Sequence, residues 1–439
     1  LAREADLSFQ AGHTAMSGKR DNRLNWLLSS STLSQLGDGI GKVAFPLLAA
    51  TLTRDPLLIA GLAAIQFLPW LLFGVLAGTV LDRVDRKKAM IIANVTRALV
   101  VGLTAGFVYL DAISIWTVYA AAMLIGSAET VADTASNVLI PAVVPRRNLE
   151  GANSKLQSVE IVGQTFAGGP VGSLTFALFA AFPFLLNSIA YAIAAVLLLG
   201  LLGSYHPQRA AGADQQDGSG EGTPRARLRS ELGNGMRWLV NSPLMLRLVL
   251  IATALNLLAE LAQAQLVLYA LEDLELSEAA FGMFAFIGGL GGLGGAAIAP
   301  RMIRRFRRVP VLVGGVAAAG IGFAAMGLTS NPVVGAALFG LFAAAVVTVN
   351  VILATLRALL VPDGVLGRII GVWRTLVWGS IPAGAMIGGV LTRLLDSPSM
   401  TFVVSGCSQL LLAAAVLLML RRFRPEVDAA GTDSSADRA

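Results

Sequence analysis

Apolar runs and short polar breaks alternate twelve times along the chain. The apolar runs cover 24–52, 56–81, 88–110, 113–140, 152–181, 183–204, 243–271, 276–299, 310–329, 332–358, 365–394 and 398–420. About 20 apolar residues cross a bilayer as a helix, so the pattern predicts an all-α polytopic membrane protein with twelve transmembrane helices. The alternating strands of a membrane barrel are not seen. One long polar stretch, 205–242, separates six spans from six. Its AGADQQDGSGEGTP segment is too polar and too rich in glycine to fold alone. The RARLRSELGNGMRWLV that follows reads as an amphipathic helix at the membrane surface. The expected order is an N-terminal arm (1–23), a six-helix half (24–204), the linker (205–242), a second six-helix half (243–421) and a disordered tail (422–439).

Composition agrees. The chain is 55% hydrophobic and 14% charged, where a soluble domain carries about a quarter charged residues. The net charge of +6 could suit nucleic acid, but the basic residues lie in short loops between apolar runs. With the N-terminus in the cytoplasm, 27 Lys and Arg fall on the cytoplasmic side and 2, Arg54 and Arg393, on the other. That asymmetry places both termini in the cytoplasm by the positive-inside rule, in a multi-pass protein of the cell membrane. Tyr109, Trp116 and Tyr119 mark the outer interface and Trp26 the inner one. The polar N-terminal arm has no signal-peptide pattern.

The chemistry of enzymes is missing. His13 and His206 lie in polar flanks, and Cys407 stands alone in an apolar run. No nucleophile–base pair and no metal-ligand cluster is seen, so neither an enzyme nor a metal or organic cofactor is expected. GDGIGK at 37–42 lacks the spacing and the strand of a phosphate loop. GGLGGLGG at 288–295 reads as close helix packing. The expected partners are the bilayer and a small-molecule substrate, with no nucleic acid and a functional monomer.

Ionisable residues at bilayer depth are candidate functional groups. Asp38 and Lys42 are four apart on the first span, hence on one face. They either pair with each other or line a central cavity. Glu129 and Asp133 repeat this spacing on the fourth span. Two carboxylates on one face repel when both are ionised, so one of them would take up a proton readily. Glu129, near mid-membrane, is the better proton carrier, while Asp133 lies within reach of Arg86. Glu260 stands in a polar part of the seventh span with Asn256, Gln263 and Gln265. Arg97, Glu160 and Arg374 lie in the inner halves of their spans and read as inner-gate partners, Arg374 also as a cavity residue. Phe45, Phe67, Trp378 and several Met offer adaptable apolar contacts. A shift of 218 residues lays Arg301 over Arg83, Asn256 over Asp38 and Glu260 over Lys42, the signature of a parallel repeat.

GTVLDRVDRKK, residues 78–88, interrupts the apolar pattern between the second and third spans. Gly78 would let another helix approach. Asp82 could accept from a facing helix N-terminus, and Arg86 could pair with a carboxylate. Gly78, Asp82, Arg83, Arg86 and Lys87 resemble the loop signature G-x-x-x-D-[RK]-x-G-[RK]-[RK] of the major facilitator superfamily, with Asp85 in place of the usual Gly. The SQLGDGIGKVAFPLLAATLTRDP and NVLIPAVVPRRNLEGANS stretches resemble the branch of macrolide and siderophore exporters. Gly169, Pro170 and Gly172 in GQTFAGGPVGSL resemble the antiporter motif of the fifth helix, with Thr165 and Ser173 departing from it. That motif implies a kink and close packing against the eighth helix. IPAGAMIGG on the eleventh span repeats the theme. The resemblance implies alternating access about a cavity lined by helices 1, 4, 5, 7, 10 and 11. It also implies drug or metabolite efflux driven by protons. An Asp82/Arg86/Asp133 latch, with Arg83 and Lys87, would govern the inner gate.

Overall fold

The computed structural model describes residues 2–81, 84–145, 148–203, 205, 233 and 236–429, with side chains except at 2–22, 74–81, 150, 363, 364 and 366–368. Twelve long helical elements follow one another. They are α1 (Ala2–Leu52), α2 (Pro56–Leu81), α3 (Arg86–Tyr109), α4 (Ile115–Val143), α5 (from Leu149), α6 (Phe182–Leu199), α7 (from Pro243), α8 (Glu278–Phe306), α9 (Arg308–Met326), α10 (Pro332–Leu360), α11 (Asp363–Leu395) and α12 (Pro398–Leu420). A short α13 (Arg424–Ala429) follows. Ten spans among the described residues are long and apolar enough to cross a membrane. The other two expected crossings are α1 and the interrupted α5. Asp85, Ser114, Asn331 and Ser397 cap helix N-termini through their side chains, which starts each of these helices at a defined turn.

Two helices leave α geometry. α5 is α-helical over Leu149–Glu160, π-helical over Ile161–Gly168 and α-helical again over Gly169–Leu178. Pro170 has no N–H to give the preceding turn, which favours a wider turn there. α7 is helical over Pro243–Gln263 and Leu266–Leu268, then closes with a π turn at Tyr269–Asp273.

Two compact units emerge. The first is Leu1–Leu52, Leu68–Arg209 and Glu278–Gly282; the second is Thr53–Phe67, Ala210–Ser277 and Met283–Ala439. The start of α2 therefore packs into the second unit and the start of α8 into the first. Helix adjacency repeats between the six-helix halves. α1 packs on α5 and α6, and α3 on α4 and α6; likewise α7 packs on α11 and α12, and α9 on α10 and α12.

Glycine makes these crossings close, as expected where lipid supplies no hydrophobic drive between helices. A Cβ on Gly39 would fall 2.6 Å from the Gly163 carbonyl oxygen, and one on Gly168 would fall 2.4 Å from the Gly39 Cα. On the α7–α11 crossing, a Cβ on Gly388 would meet the Leu261 carbonyl oxygen at 2.1 Å. The two glycine-rich decoys resolve in the same way. Gly37 and Gly41 face Asn187 of α6 while Gly39 faces α5, and Gly288, Gly291 and Gly295 lie on Phe339, Gly340 and Ala344 of α10.

Candidate functional site

The first unit buries an ion pair. Arg97 of α3, 1% exposed, donates to Asp38 Oδ1 of α1 at 2.9 Å. Its other terminal nitrogen donates to Ser34 Oγ at 2.8 Å and Asn94 Oδ1 at 2.6 Å. The Tyr191 hydroxyl of α6 donates to the same Asp38 oxygen at 2.6 Å. The guanidinium carbon lies 4.4 Å from the Tyr191 ring centroid. Asp38 Oδ2 and Arg97 Nε are buried with no hydrogen-bond partner in the described structure. A charged pair in a low-dielectric interior is stable only while both partners remain.

This corrects an expectation. Asp38 pairs with Arg97 and not with Lys42, and Arg97 is its buried counter-ion. The i, i+4 spacing loses because α3 and α6 each bring one donor to Asp38 from outside its own helix. Lys42 is exposed and its ammonium donates to Gln164 Oε1, whose amide donates in turn to Gln35 Oε1. Gln164 lies in the π segment of α5.

Glu129 and Asp133 are half-buried on α4. Ala128 and Ala132, one position earlier, pack on Ala93 of α3, which turns the two carboxylates onto the adjoining face. The charged groups acting on Glu129 are Asp38, Asp133, Lys42 and Arg97; those acting on Asp133 are Asp38, Arg97, Glu160 and Lys42. Among the described residues no ion pair joins Arg86 to Asp133, so the expected latch is not assembled through them. Asp82 and Arg83 lie outside the described residues. Gly78 falls within α2, beyond the described side chains.

The loop at 84–88 is bound elsewhere. Asp85, the departure from the loop signature, adopts extended backbone and accepts from the Lys87 and Lys88 amides at 2.9 and 3.3 Å. Its second oxygen accepts from the Tyr205 amide at 3.1 Å. Lys87 Nζ donates to the Leu201 and Leu199 carbonyls at 2.7 and 3.4 Å, closing the C-terminus of α6. Burial raises the Tyr205 phenol above its usual range.

The α5 motif meets two helices. A Cβ on Gly172 would press on the Ile40 carbonyl of α1 at 2.8 Å, while a Cβ on Gly169 has the Gly282 carbonyl of α8 at an ordinary 3.7 Å. Pro170 opens the second α-helical piece. Ser173, where the motif has Gly, donates to the Ala279 carbonyl at 2.8 Å and accepts from the Gly282 amide at 3.0 Å.

In the second unit Glu260 of α7 is half-buried, and no ion pair holds it among the described residues. Gln265 is fully buried and donates to the Pro56 carbonyl at 3.1 Å. Arg374 is exposed over the Trp378 ring at 4.4 Å, and Arg357 lies over Trp373 at 4.9 Å. Phe45 is core, edge-on to Phe184 at 5.1 Å. The sequence reading missed Tyr191, Asn94, Ser34 and Gln164. Their signal was present as polar residues inside apolar runs.

The family model described as Major Facilitator Superfamily matches residues 27–381. The chain belongs to this family. This facilitator is a multi-pass membrane transporter, and not an enzyme; its partners are a small-molecule substrate and the bilayer. It is 25% identical over 402 residues to the MFS-type transporter YfiS of Bacillus subtilis (strain 168), covering 89% of this chain and 92% of that protein. It is 34% identical over 131 residues to an MFS-type transporter of Mycobacterium tuberculosis, covering 29% of this chain and 30% of that protein. The facilitator's fold is similar to that of a mutant of the nucleoside transporter NupG, with TM-score 0.72, 13% identity and coverage of 90% and 99% of the two chains. It is also similar to a bacterial homologue of the iron transporter ferroportin, with TM-score 0.69, 16% identity and coverage of 90% and 98%.

Proposed function

We propose that this facilitator exports a hydrophobic or amphiphilic small molecule in exchange for protons, by alternating access. The observation that carries this reading is the charge arrangement around α4. Glu129 and Asp133 share a face, and Asp38 adds a third carboxylate to their surroundings. Arg97 is already engaged by Asp38, Ser34 and Asn94, and Lys42 by Gln164. An ionised carboxylate at bilayer depth costs about 2.5–3.5 kcal/mol on insertion scales. Binding a proton removes that cost and releasing it restores it, so occupancy depends on which side supplies protons. Glu129 is the proposed carrier, and Glu260 a second site in the other unit. The outward direction rests on the likeness of the α1 and α4–α5 stretches to exporters.

The test uses inverted vesicles with an inside-acid gradient and a panel of lipophilic dyes and macrolide-like compounds. Gradient-dependent uptake is expected in wild type. Glu129→Gln should lower it by about tenfold or more, the scale of losing a required proton-transfer group. Unchanged gradient-driven uptake in both Glu129→Gln and Glu260→Gln would sink the proposed carriers. Uptake only under the opposite gradient would make the protein an importer.

A further inference from the structure

The turn between α8 and α9 breaks the local rules for starting a helix. Its sequence over 301–308 is RMIRRFRR, with no Ser, Thr, Asp or Asn to cap α9. Arg307 stands at the cap position with a φ of 65° and no side-chain cap hydrogen bond. A non-glycine residue rarely takes that conformation. Arg307 and Arg308 also set positive charge at the positive end of the helix dipole. The first unit starts α3 differently, with Asp85 of the turn itself as the cap.

The group that the turn lacks comes from more than a hundred residues further along the chain. After α12 the chain makes a 3-10 turn, Arg421–Phe423, and enters α13. Asp428 Oδ1 accepts from the Val309 amide at 3.1 Å. This is the second amide of α9, a donor that an N-cap side chain serves. Arg308 Nη1 donates to the Val427 and Asp428 carbonyls at 3.3 and 3.5 Å. Val427 is fully buried in one apolar cluster with Val309 and Leu312 of α9 and Leu248 of α7. Arg247 of α7 lies over the Phe423 ring at 4.3 Å. The attachment is narrow, because Val427 is the one buried residue of Arg421–Ala429. Segments held by few buried contacts are the ones that open locally.

We propose that Arg421–Ala429 is a detachable strap across the start of α9. Docked, Asp428 completes the first turn of α9 and Arg308 holds the strap. Released, α9 loses its cap and the α8–α9 turn loosens. One turn of the second unit thereby depends on whatever engages the C-terminal segment. The inference goes beyond the transport chemistry and holds for any substrate, direction or coupling ion.

The experiment is hydrogen exchange read by mass spectrometry, using the full chain in nanodiscs. It follows peptides over the start of α9, over α13 and over the start of α3. In wild type the start of α9 and α13 should exchange together, faster than the middle of α9. Val427→Asn puts a polar group into the buried contact without touching the cap. It should speed exchange at the start of α9 about fivefold, the scale of losing an N-cap, with the start of α3 unchanged. Asp428→Ala should do the same, while Asp428→Asn, whose side chain also caps, should stay near wild type. An α9 start that keeps its wild-type exchange in Val427→Asn would overturn the strap. So would an α13 that exchanges as slowly as the middle of α9 in wild type, since the segment would then be a fixed part of the core. Should Val427→Asn fail to fold, the two Asp428 variants decide, and equal exchange in both would overturn the proposal.

Discussion

The two six-helix halves share one pattern of helix adjacency but fill it with opposite chemistry. Arg97, Asp38 and Tyr191 form the buried centre of the first. The same repeat shift places Gly315, Asn256 and Gln409 at those positions in the second. There Val349 presses within 2.7 Å of a Cβ built on Gly315, occupying space that a long side chain would need. The second half stacks Phe323 on Phe342 with centroids 3.6 Å apart, and sets Phe402 edge-on to Phe323 at 5.1 Å. The fold therefore does not require a buried ion pair. A desolvated pair is weak evidence of stabilisation, so its presence, among the described residues, in one half alone points to a role in organising the neighbouring carboxylates.

The largest effect tests this directly. Asp38→Asn or Arg97→Leu alone leaves an unpaired buried charge, and either should destabilise the protein by about 3–5 kcal/mol. The double variant, which copies the uncharged second half, should recover most of that loss while transport stays impaired. Thermal melting of purified protein alongside vesicle flux reads both. Single variants that melt like wild type would erase the distinction between the halves.

The next effect should be equal in both halves, because it concerns what they share. Gly39→Val on the α1–α5 crossing and Gly388→Val on the α7–α11 crossing each force a side chain into backbone. Overpacking of this kind costs about 1–3 kcal/mol. Comparable losses of melting temperature are expected. A large loss in one half only would show that the crossings are not equivalent.

A smaller effect, of opposite sign, separates coupling from stability. Glu129→Gln removes an ionisable group that lacks its own cation, so the melting temperature should hold or rise, by no more than about 1 kcal/mol of stability. Proton-driven flux should be lost in the same variant. Glu260→Gln sharpens the comparison, since among the described residues no ion pair holds its carboxylate and its removal should be milder for flux. A clear loss of stability in Glu129→Gln would make Glu129 a structural partner of Arg97.

Much of the fold was legible because apolar length is a local property. The expected span 56–81 coincides with α2, and 398–420 with α12. The site was less legible, because its contacts are made between helices. Spacing along α1 suggested Asp38 with Lys42, yet Asp38 is held by residues 59 and 153 positions away. Asn187 and Tyr191 are polar positions in FPFLLNSIAYAI that the sequence reading passed over, and the facing glycines of α1 show why α6 can approach there. The π segment of α5 left little trace beyond Pro170, because a wider turn changes direction without changing composition. Asp85 looked like a defect against the loop signature. Its extended backbone needs no glycine, and its carboxylate caps α3.

The smallest predicted effect lies at that loop. Lys87 places a positive charge on the last carbonyls of α6, where the helix dipole is negative. Interactions of this kind contribute about 0.3–1 kcal/mol at an exposed helix end. Lys87→Met keeps the apolar stem and removes the charge, so the melting temperature should fall slightly, and less as salt is added to both proteins. Lys87→Arg should retain most of the stability. If Lys87→Met instead abolished flux with melting unchanged, the residue would act in gating, as the loop signature implies, and the α6 cap would be incidental. The two outcomes are separable because a cap is read in stability and a gate in rate.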